Sequence, residues 1–321
     1  MITEFDNIIF YSNKYRRQYF RPYESIFNNS SYSLLRLFDN RYKLITSDFP
    51  LSPIRHLFKF FRKKHYIFLW NNIDELINKI TSDKKYLKYL LNTETTFIFA
   101  FEIDNNLTDQ LLKIYPKFDY QVIPPPLKFK KSTRKFKSKK IIFYGELDIE
   151  RKNINHSHFE YLKKLSLKVL DGDIDYSQIE NKIFNKFNGV NYNLYLWKTR
   201  NLIRYNYLDF LAKVYNTRLI LIGDQLKVVN GATNIRSNYS RSFRMNLYKK
   251  YENEIFIDLL CKSTSSCLYA RSQELLENVD VFLQLKSYNS KLIYKQKFKS
   301  IVFNSKENLK AVIDNKLNFR I

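Results

Sequence analysis

Short apolar runs alternate with amphipathic stretches along most of this chain. In its first part the apolar runs are NIIFYS at 7–12, YKLIT at 42–46, TFIFAF at 96–101 and YQVI at 120–123. Between two of them, NIDELINKITSDKKYLKYLL at 72–91 repeats apolar residues at helical spacing, and Asn71 or Asn72 is the predicted cap of that helix. Buried strands that alternate with helices predict a sheet with helices packed on its faces.

The second half repeats this alternation more clearly. Its predicted strands are KIIFYG at 140–145, LKVLDG at 167–172, RLILIGD at 218–224, EIFIDLL at 254–260, VFLQL at 281–285 and SIVFN at 300–304. Its predicted helices lie around 155–165, around 199–215, near 270–278 and from about 305. Short β runs that are each followed by a helical pattern are typical of a doubly wound α/β domain.

A proline run and a basic stretch separate the two halves. Pro124 to Pro126 end helix and sheet alike, because each ring fixes φ and removes a backbone donor. The stretch KFKKSTRKFKSKK at 128–140 has eight positive charges and no apolar periodicity. The sequence therefore predicts an α/β domain at 1–126, a basic linker at 127–139 and a second α/β domain at 140–321.

The net charge of the chain indicates which classes of partner it is expected to bind. The 321 residues include 55 Lys and Arg against 31 Asp and Glu, a formal net charge of +24. This balance favours nucleic acid, nucleotide diphosphates or an acidic membrane leaflet, although an AT-rich coding sequence enriches lysine without any partner. The two cysteines, Cys261 and Cys267, form no CxxC or Cys/His set, and no apolar run approaches the roughly 20 residues of a membrane helix. We expect a cytoplasmic protein that is soluble or lies on the inner face of the membrane.

Two glycines end predicted strands at places where a ligand can approach. Gly145 lets the backbone turn sharply, and Lys152 begins the next predicted helix, where the helix dipole favours phosphate. Gly223 is followed by Asp224, which bonds a sugar hydroxyl or caps the next turn. Each feature alone is also typical of an ordinary tight turn.

A third candidate site lies at 263–285, where a run of small hydroxyl residues that includes Ser266 leads into a helix. Arg271 and Glu274 are three residues apart and share one face of that helix. In a functional interpretation, backbone donors near the helix start hold a diphosphate, Arg271 neutralises it and Glu274 accepts hydrogen bonds from ribose hydroxyls. In a structural interpretation, the two side chains form a surface ion pair.

The order of these features over about residues 120–321 resembles the carboxyl domain of glycosyltransferases with the GT-B fold, of the group-1 type with an R-x-x-E helix. The resemblance implies two Rossmann-like doubly wound domains facing a cleft. It implies that Lys152 contacts the donor diphosphate, that Arg271 is the family's positive residue and that Glu274 holds the ribose. Ser266 stands where group-1 enzymes usually carry a further Glu.

The function implied is transfer of a sugar from a nucleotide-activated donor to a glycan or lipid-linked acceptor in cell-surface polysaccharide synthesis. No cofactor and no obligatory metal is expected. The predicted donor-binding residues are Gly145, Lys152, Gly223, Asp224, Ser266, Arg271 and Glu274. Asp171 and Asp173, in DGDID at 171–175, come closest to a DxD metal motif, but a strand-to-helix turn rich in Asp and Gly explains them better.

Two alternatives stay open. The stretch RHLFKFFRKKHY at 55–66 interleaves basic and aromatic residues, a pattern that suits anionic lipid headgroups or single-stranded bases. With the 128–140 linker it would form the groove of a basic nucleic-acid-binding protein; the other alternative is a catalytically inactive GT-B-like structural protein. An acid or base near neutral pH is available from each histidine, namely His56, His65, His156 and His158.

Overall fold

The computed structural model describes residues 7–11, 39, 41–47, 65–69, 73–99, 105–123, 140–150, 153–187, 191–224, 226–237, 240–259, 270–286 and 302–317. The chain divides into two compact units, Met1–Pro126 and Leu127–Ile321. The predicted linker at 127–139 and the predicted caps Asn71 and Asn72 lie outside the described residues. In the described ranges, no helix has both the length and the apolar character needed to cross a membrane.

The first unit is built on a sheet of five parallel strands. Its described elements are β1 (Ile8–Tyr11), β2 (Lys43–Ser47), β3 (His65–Leu69), α1 (Ile73–Ser82), α2 (Lys84–Leu91), β4 (Thr95–Phe99), α3 (Asn105–Ile114) and β5 (Asp119–Val122). The strands are hydrogen-bonded side by side in chain order. Every residue of β3 and β4 is buried, as is usual in parallel sheets. Ile67 and Phe97 form one apolar core with residues of all three helices.

The stretch at 72–91 forms two helices where the sequence predicts one. Asp83 leaves the helical conformation, and its side chain accepts a hydrogen bond from the backbone N–H of Tyr86 at 3.0 Å, which caps α2. The same carboxylate pairs with Lys79 at 2.8 Å. The apolar period continues across the break, so periodicity alone does not reveal it.

The second unit contains a sheet of six parallel strands. Its elements are β6 (Ile141–Tyr144), α4 (His156–Asp171), α5 (Ile179–Phe187), α6 (Tyr192–Tyr215), β7 (Leu219–Ile222), β8 (Thr233–Ile235), α7 (Arg241–Lys250), β9 (Ile255–Asp258), α8 (Ala270–Asn278), β10 (Val281–Leu285), β11 (Val302–Phe303) and α9 (Lys306–Leu317). The strand order is β11-β10-β9-β6-β7-β8. It reverses between β6 and β9, so this sheet is doubly wound.

Helices cover both faces of the second sheet. Phe143, Leu221 and Ile257 lie in register on one face and share a core with α4, α5, α6 and α9. On the other face, Tyr248 of α7 packs edge-on against Phe256, with ring centroids 5.7 Å apart. The prediction of an α/β chain with parallel sheets is confirmed; among the described strands, the reversal of a doubly wound sheet occurs in the second unit.

The predicted strand at 167–172 is wrong, because this segment is the last turn of α4. Leu162, Leu165 and Val169 are buried at helical spacing, and the run is too short to distinguish a strand from a helix. Gly172 ends the helix in the left-handed region, with φ of +83°. The DGDID turn therefore follows a helix, and its Asp171 pairs with Lys306.

Candidate functional site

A cleft of about 580 Å³ lies at the carboxyl ends of three neighbouring strands in the second unit. Its walls are the loops that follow β6, β7 and β8. Doubly wound sheets bind ligands outside the carboxyl ends of their strands, at the point where the strand order reverses, and β6 is one of the two strands at that point. Apolar side chains form much of the lining, namely Leu147, Ile149, Leu226, Val228 and Ile235.

The charged groups of this cleft are mainly acidic, in contrast to the chain as a whole. Three carboxylates and two cations line it, namely Asp148, Glu150, Asp224, Lys227 and Arg236. Carboxylates accept hydrogen bonds and repel phosphate. The cleft therefore suits a ligand part that is uncharged, partly apolar and rich in hydroxyl groups.

The two strand-ending glycines shape the cleft walls. Gly145 donates its backbone N–H to the carbonyl of Ile222 at 2.9 Å, and Gly223 donates to the carbonyl of Ile235 at 2.9 Å. Each glycine thus adds one more pair to the sheet before the chain turns away. Gly223 has φ of +152°, a conformation that residues with a side chain rarely adopt. This turn carries the predicted residue Asp224 into the lining, where it is exposed.

The β6 wall is fixed from behind by α6. Lys198, whose side chain is 1% exposed, donates from Nζ to the carbonyl oxygen and to Oδ1 of Asp148, both at 3.2 Å. The backbone N–H of Asp148 donates to Oδ1 of Asn201 at 3.0 Å. Arg204 reaches the carbonyl of Glu146 at 3.4 Å. The loop is therefore held by three polar side chains of one helix.

Another buried cation, Arg200, lies between these anchors and pairs with Glu180 of α5; both side chains are less than 5% exposed. Sequence reasoning missed this group. Its signal is the segment KTRNLIR at 198–204, in which lysine and two arginines occur within a long helix that has no amphipathic period. Such a helix is buried on more than one side, so its cations need partners inside the protein.

Glu274 lies on α8 and is bound to Arg244 of α7. Arg244 donates from Nε to Oε2 at 2.8 Å and from Nη2 to Oε1 at 2.9 Å, and Tyr248 donates its hydroxyl to Oε2 at 3.3 Å. The hydrogen bonds to Glu274 raise the pKa of Arg244 above its usual value. A ribose diol that bound to Glu274 would have to displace this guanidinium.

The other predicted donor-site residues divide between described and undescribed parts of the chain. Arg271 lies in the first turn of α8, and its side chain is outside the described residues, as are Lys152 and Ser266. The structure therefore brings Gly223 and Asp224 together in the cleft, next to the β6 loop that starts at Gly145.

His156 and His158 are not among the residues that line this cleft, and His65 belongs to the first unit. His156 is exposed at the first residue of α4, and Nδ1 of the half-buried His158 in the same turn lies 2.8 Å from the hydroxyl of Tyr195. His65 is buried between Thr46 and Tyr89, and burial lowers its pKa to about 3. His65 is thus a neutral core residue, and it is not part of the lipid- or base-binding surface that the alternative interpretation of 55–66 requires.

Two further features bear on ligand chemistry. A second cleft, of about 510 Å³, lies in the first unit before β4 and β5, at the amino ends of the strands, which is the edge opposite to the one where parallel sheets bind ligands. Within the described ranges, no group of three or more His, Cys, Asp or Glu side chains is placed to hold a metal ion. The pairing of Asp171 with Lys306 agrees with a structural role for the DGDID turn.

Comparison with known proteins adds no family assignment. No protein-family model matches the sequence, and no curated protein matches it significantly.

Proposed function

We propose that this protein is a glycosyltransferase that moves a sugar from a nucleotide-activated donor to a glycan or lipid-linked acceptor in cell-surface polysaccharide synthesis. The observation that carries the proposal is the cleft at the carboxyl ends of β6, β7 and β8, with Gly223 and Asp224 in its lining. In a doubly wound sheet, the first three strands and their loops form a mononucleotide-binding half. An acidic side chain just after the second of these strands suits a ribose hydroxyl.

The reaction follows from this placement. The bond between the anomeric carbon and the donor diphosphate breaks, an acceptor hydroxyl forms the new bond to that carbon and loses its proton, and the nucleoside diphosphate leaves. Lys152 and Arg271 are the proposed counter-charges for the departing diphosphate, together with backbone amides at the start of α8. The mechanism needs no metal, because these groups neutralise the charge that develops.

The charge of the cleft favours this function over nucleic-acid binding. A polynucleotide carries a phosphate at every residue and binds mainly through cations. Carboxylates outnumber cations in the cleft lining by three to two, which disfavours such a backbone, whereas a nucleoside with its phosphates outside the cleft avoids the carboxylates. Binding of a nucleotide would also argue against a purely structural protein.

The test is thermal unfolding of the purified protein with a panel of nucleoside diphosphates and nucleotide sugars at fixed salt. A ligand at 100 times its Kd stabilises the native state by about 2.7 kcal/mol, which raises the Tm of a domain of about 200 residues by roughly 5 to 11 °C. We expect such a shift with one base, and a smaller shift in Asp224→Asn and in Arg271→Ala.

Asp173→Asn is the matched control, because Asp173 is an exposed aspartate outside the cleft. It should leave the ligand-induced shift unchanged. If no nucleotide changes the Tm and oligonucleotides bind tightly with a steep dependence on salt, the protein is a nucleic-acid-binding protein.

A further inference from the structure

We propose that Asp148 recognises the ribose of the bound nucleotide by accepting hydrogen bonds from its vicinal hydroxyls, and that Lys198 is the positioning residue that holds Asp148 for this role. The inference deepens the proposed function and rests on it. Asp148 belongs neither to the predicted donor-binding residues nor to the R-x-x-E helix. Its side chain and its backbone are both hydrogen-bonded to α6.

Of the two carboxylate oxygens of Asp148, Oδ1 is hydrogen-bonded within the protein and Oδ2 is available to a ligand. Oδ1 accepts from Nζ of Lys198 at 3.2 Å and from the backbone N–H of Glu150 at 3.2 Å. A carboxylate oxygen accepts about two hydrogen bonds, so these two contacts fill Oδ1. Among the described residues, no hydrogen bond to Oδ2 is found. Lys198 is 1% exposed and Asp148 is 29% exposed, so the exposed part of the carboxylate faces the cleft that it lines.

The backbone of Asp148 is fixed as well. Its N–H donates to Asn201 and its carbonyl accepts from Lys198, so main chain and side chain are bound to the same turn of α6. A group held in this way loses little freedom when a ligand binds. Such positioning suits a residue that must discriminate between ligands that differ by one hydroxyl.

The chemistry of the cleft indicates a diol rather than a phosphate as the partner of Oδ2. A carboxylate needs a donor, and a phosphate offers only acceptor oxygens near neutral pH. Two adjacent ribose hydroxyls are both donors, and the apolar lining beside them suits the face of a base. Asp224, which follows β7, lies in the same lining.

Glu274 is less suited to the ribose than Asp148. Both of its oxygens already accept from the guanidinium of Arg244. Ribose binding there would break a bidentate ion pair, whereas binding at Asp148 leaves the contacts of Lys198 in place. The structure thus favours Arg244 as the partner of Glu274 and Asp148 as the partner of the sugar.

The experiment compares UDP, ADP, GDP and CDP with their 2′-deoxy counterparts by titration calorimetry. For the base that binds, loss of a hydrogen bond to a charged acceptor should weaken affinity about 10- to 100-fold. In Asp148→Asn the ratio of the Kd of the 2′-deoxy nucleotide to that of the ribonucleotide should fall, because the amide offers the 2′-hydroxyl a weaker, uncharged hydrogen bond. Lys198 has only donors, so the Asn oxygen stays on Lys198 and the NH₂ group takes the place of Oδ2.

Three further variants separate positioning from stability and charge. Lys198→Met should also lower the ratio of the Kd of the 2′-deoxy nucleotide to that of the ribonucleotide. If Lys198 had only a structural role, the variant would weaken the binding of both nucleotides equally. Asp148→Glu keeps the charge beside Lys198 but displaces the acceptor by one methylene, and it should lower the ratio even if Asp148→Asn fails to fold. Glu150→Gln removes a carboxylate from the same wall and should leave the ratio unchanged.

The outcomes distinguish the two proposals. Equal affinity of the wild-type protein for a nucleoside diphosphate and its deoxy form overturns the ribose inference and leaves the transferase proposal standing. So does a ratio that survives in Asp148→Asn and Asp148→Glu but is lost in Glu274→Gln. Absence of binding by every nucleotide overturns both.

Discussion

Arg200 of α6 and Glu180 of α5 form a buried ion pair. We expect removal of one partner to destabilise the protein strongly, and replacement of both partners by apolar residues to change its stability little. The side chains are 1% and 4% exposed, so neither charge is well solvated if its partner is removed. Breaking a buried pair from one side usually destabilises a protein by about 3–5 kcal/mol. For a domain of about 200 residues, we expect Glu180→Leu or Arg200→Met alone to lower the Tm by roughly 6 to 20 °C.

The double variant is expected to differ sharply from the sum of the single ones. With Glu180→Leu and Arg200→Met together, neither member of the pair is left buried without its counter-charge, and stability should return to within about 1 kcal/mol of the parent or exceed it. Urea unfolding followed by the fluorescence of Trp197 on α6 measures this, in a Trp70→Phe background that leaves one tryptophan. A double variant as unstable as the sum of the two single variants would refute the reasoning, because the two residues would then act independently.

Two other predictions concern stability. Burial lowers the pKa of His65 from 6.5 to about 3. Between these pH values the unfolded chain binds a proton at this residue and the folded chain does not. The free energy of unfolding therefore decreases as the pH falls from 6.5 toward 3, by about 2 kcal/mol at pH 5. His65→Gln should remove this loss in a urea titration at several pH values. Gly172→Ala should lower the free energy of unfolding by more than the roughly 1–2 kcal/mol that the left-handed conformation costs an alanine. The added Cβ would also lie 2.9 Å from Cβ of Ser305. In the control Gly231→Ala, at φ of +87°, the nearest atom is 3.3 Å away, and thermal unfolding should show a smaller loss.

The sequence predicts best the parts of the fold that depend on local pattern. The helix at 270–278 and the strand at 281–285 have the predicted bounds, since an apolar run or a helical period is flanked there by residues that end it. The strand-ending positions of Gly145 and Gly223 follow from the same logic. The segment at 167–172 was predicted as a strand although it belongs to α4, because a run of four residues fits the strand period and the helix period alike.

Contacts between distant segments could not be predicted from the sequence. Lys198 and Asp148 are 50 residues apart, and Arg244 and Glu274 are 30 apart. Each pair forms because two elements meet at the carboxyl edge of a sheet, and the strand order that brings them together is a property of the whole domain. Helical spacing suggested Arg271 as the partner of Glu274, whereas the described ion pair of Glu274 is with a different helix.

The contrast between a basic chain and an acidic cleft has a consequence for kinetics. A net charge of +24 attracts anionic ligands over long range and speeds their encounter, an effect that salt screens. In the cleft, three carboxylates stand beside two cations, so this region attracts phosphate less strongly than the chain as a whole. Added salt should therefore slow the arrival of a nucleotide sugar far more than it speeds its departure, and a captured ligand should enter in one orientation, with its base leading.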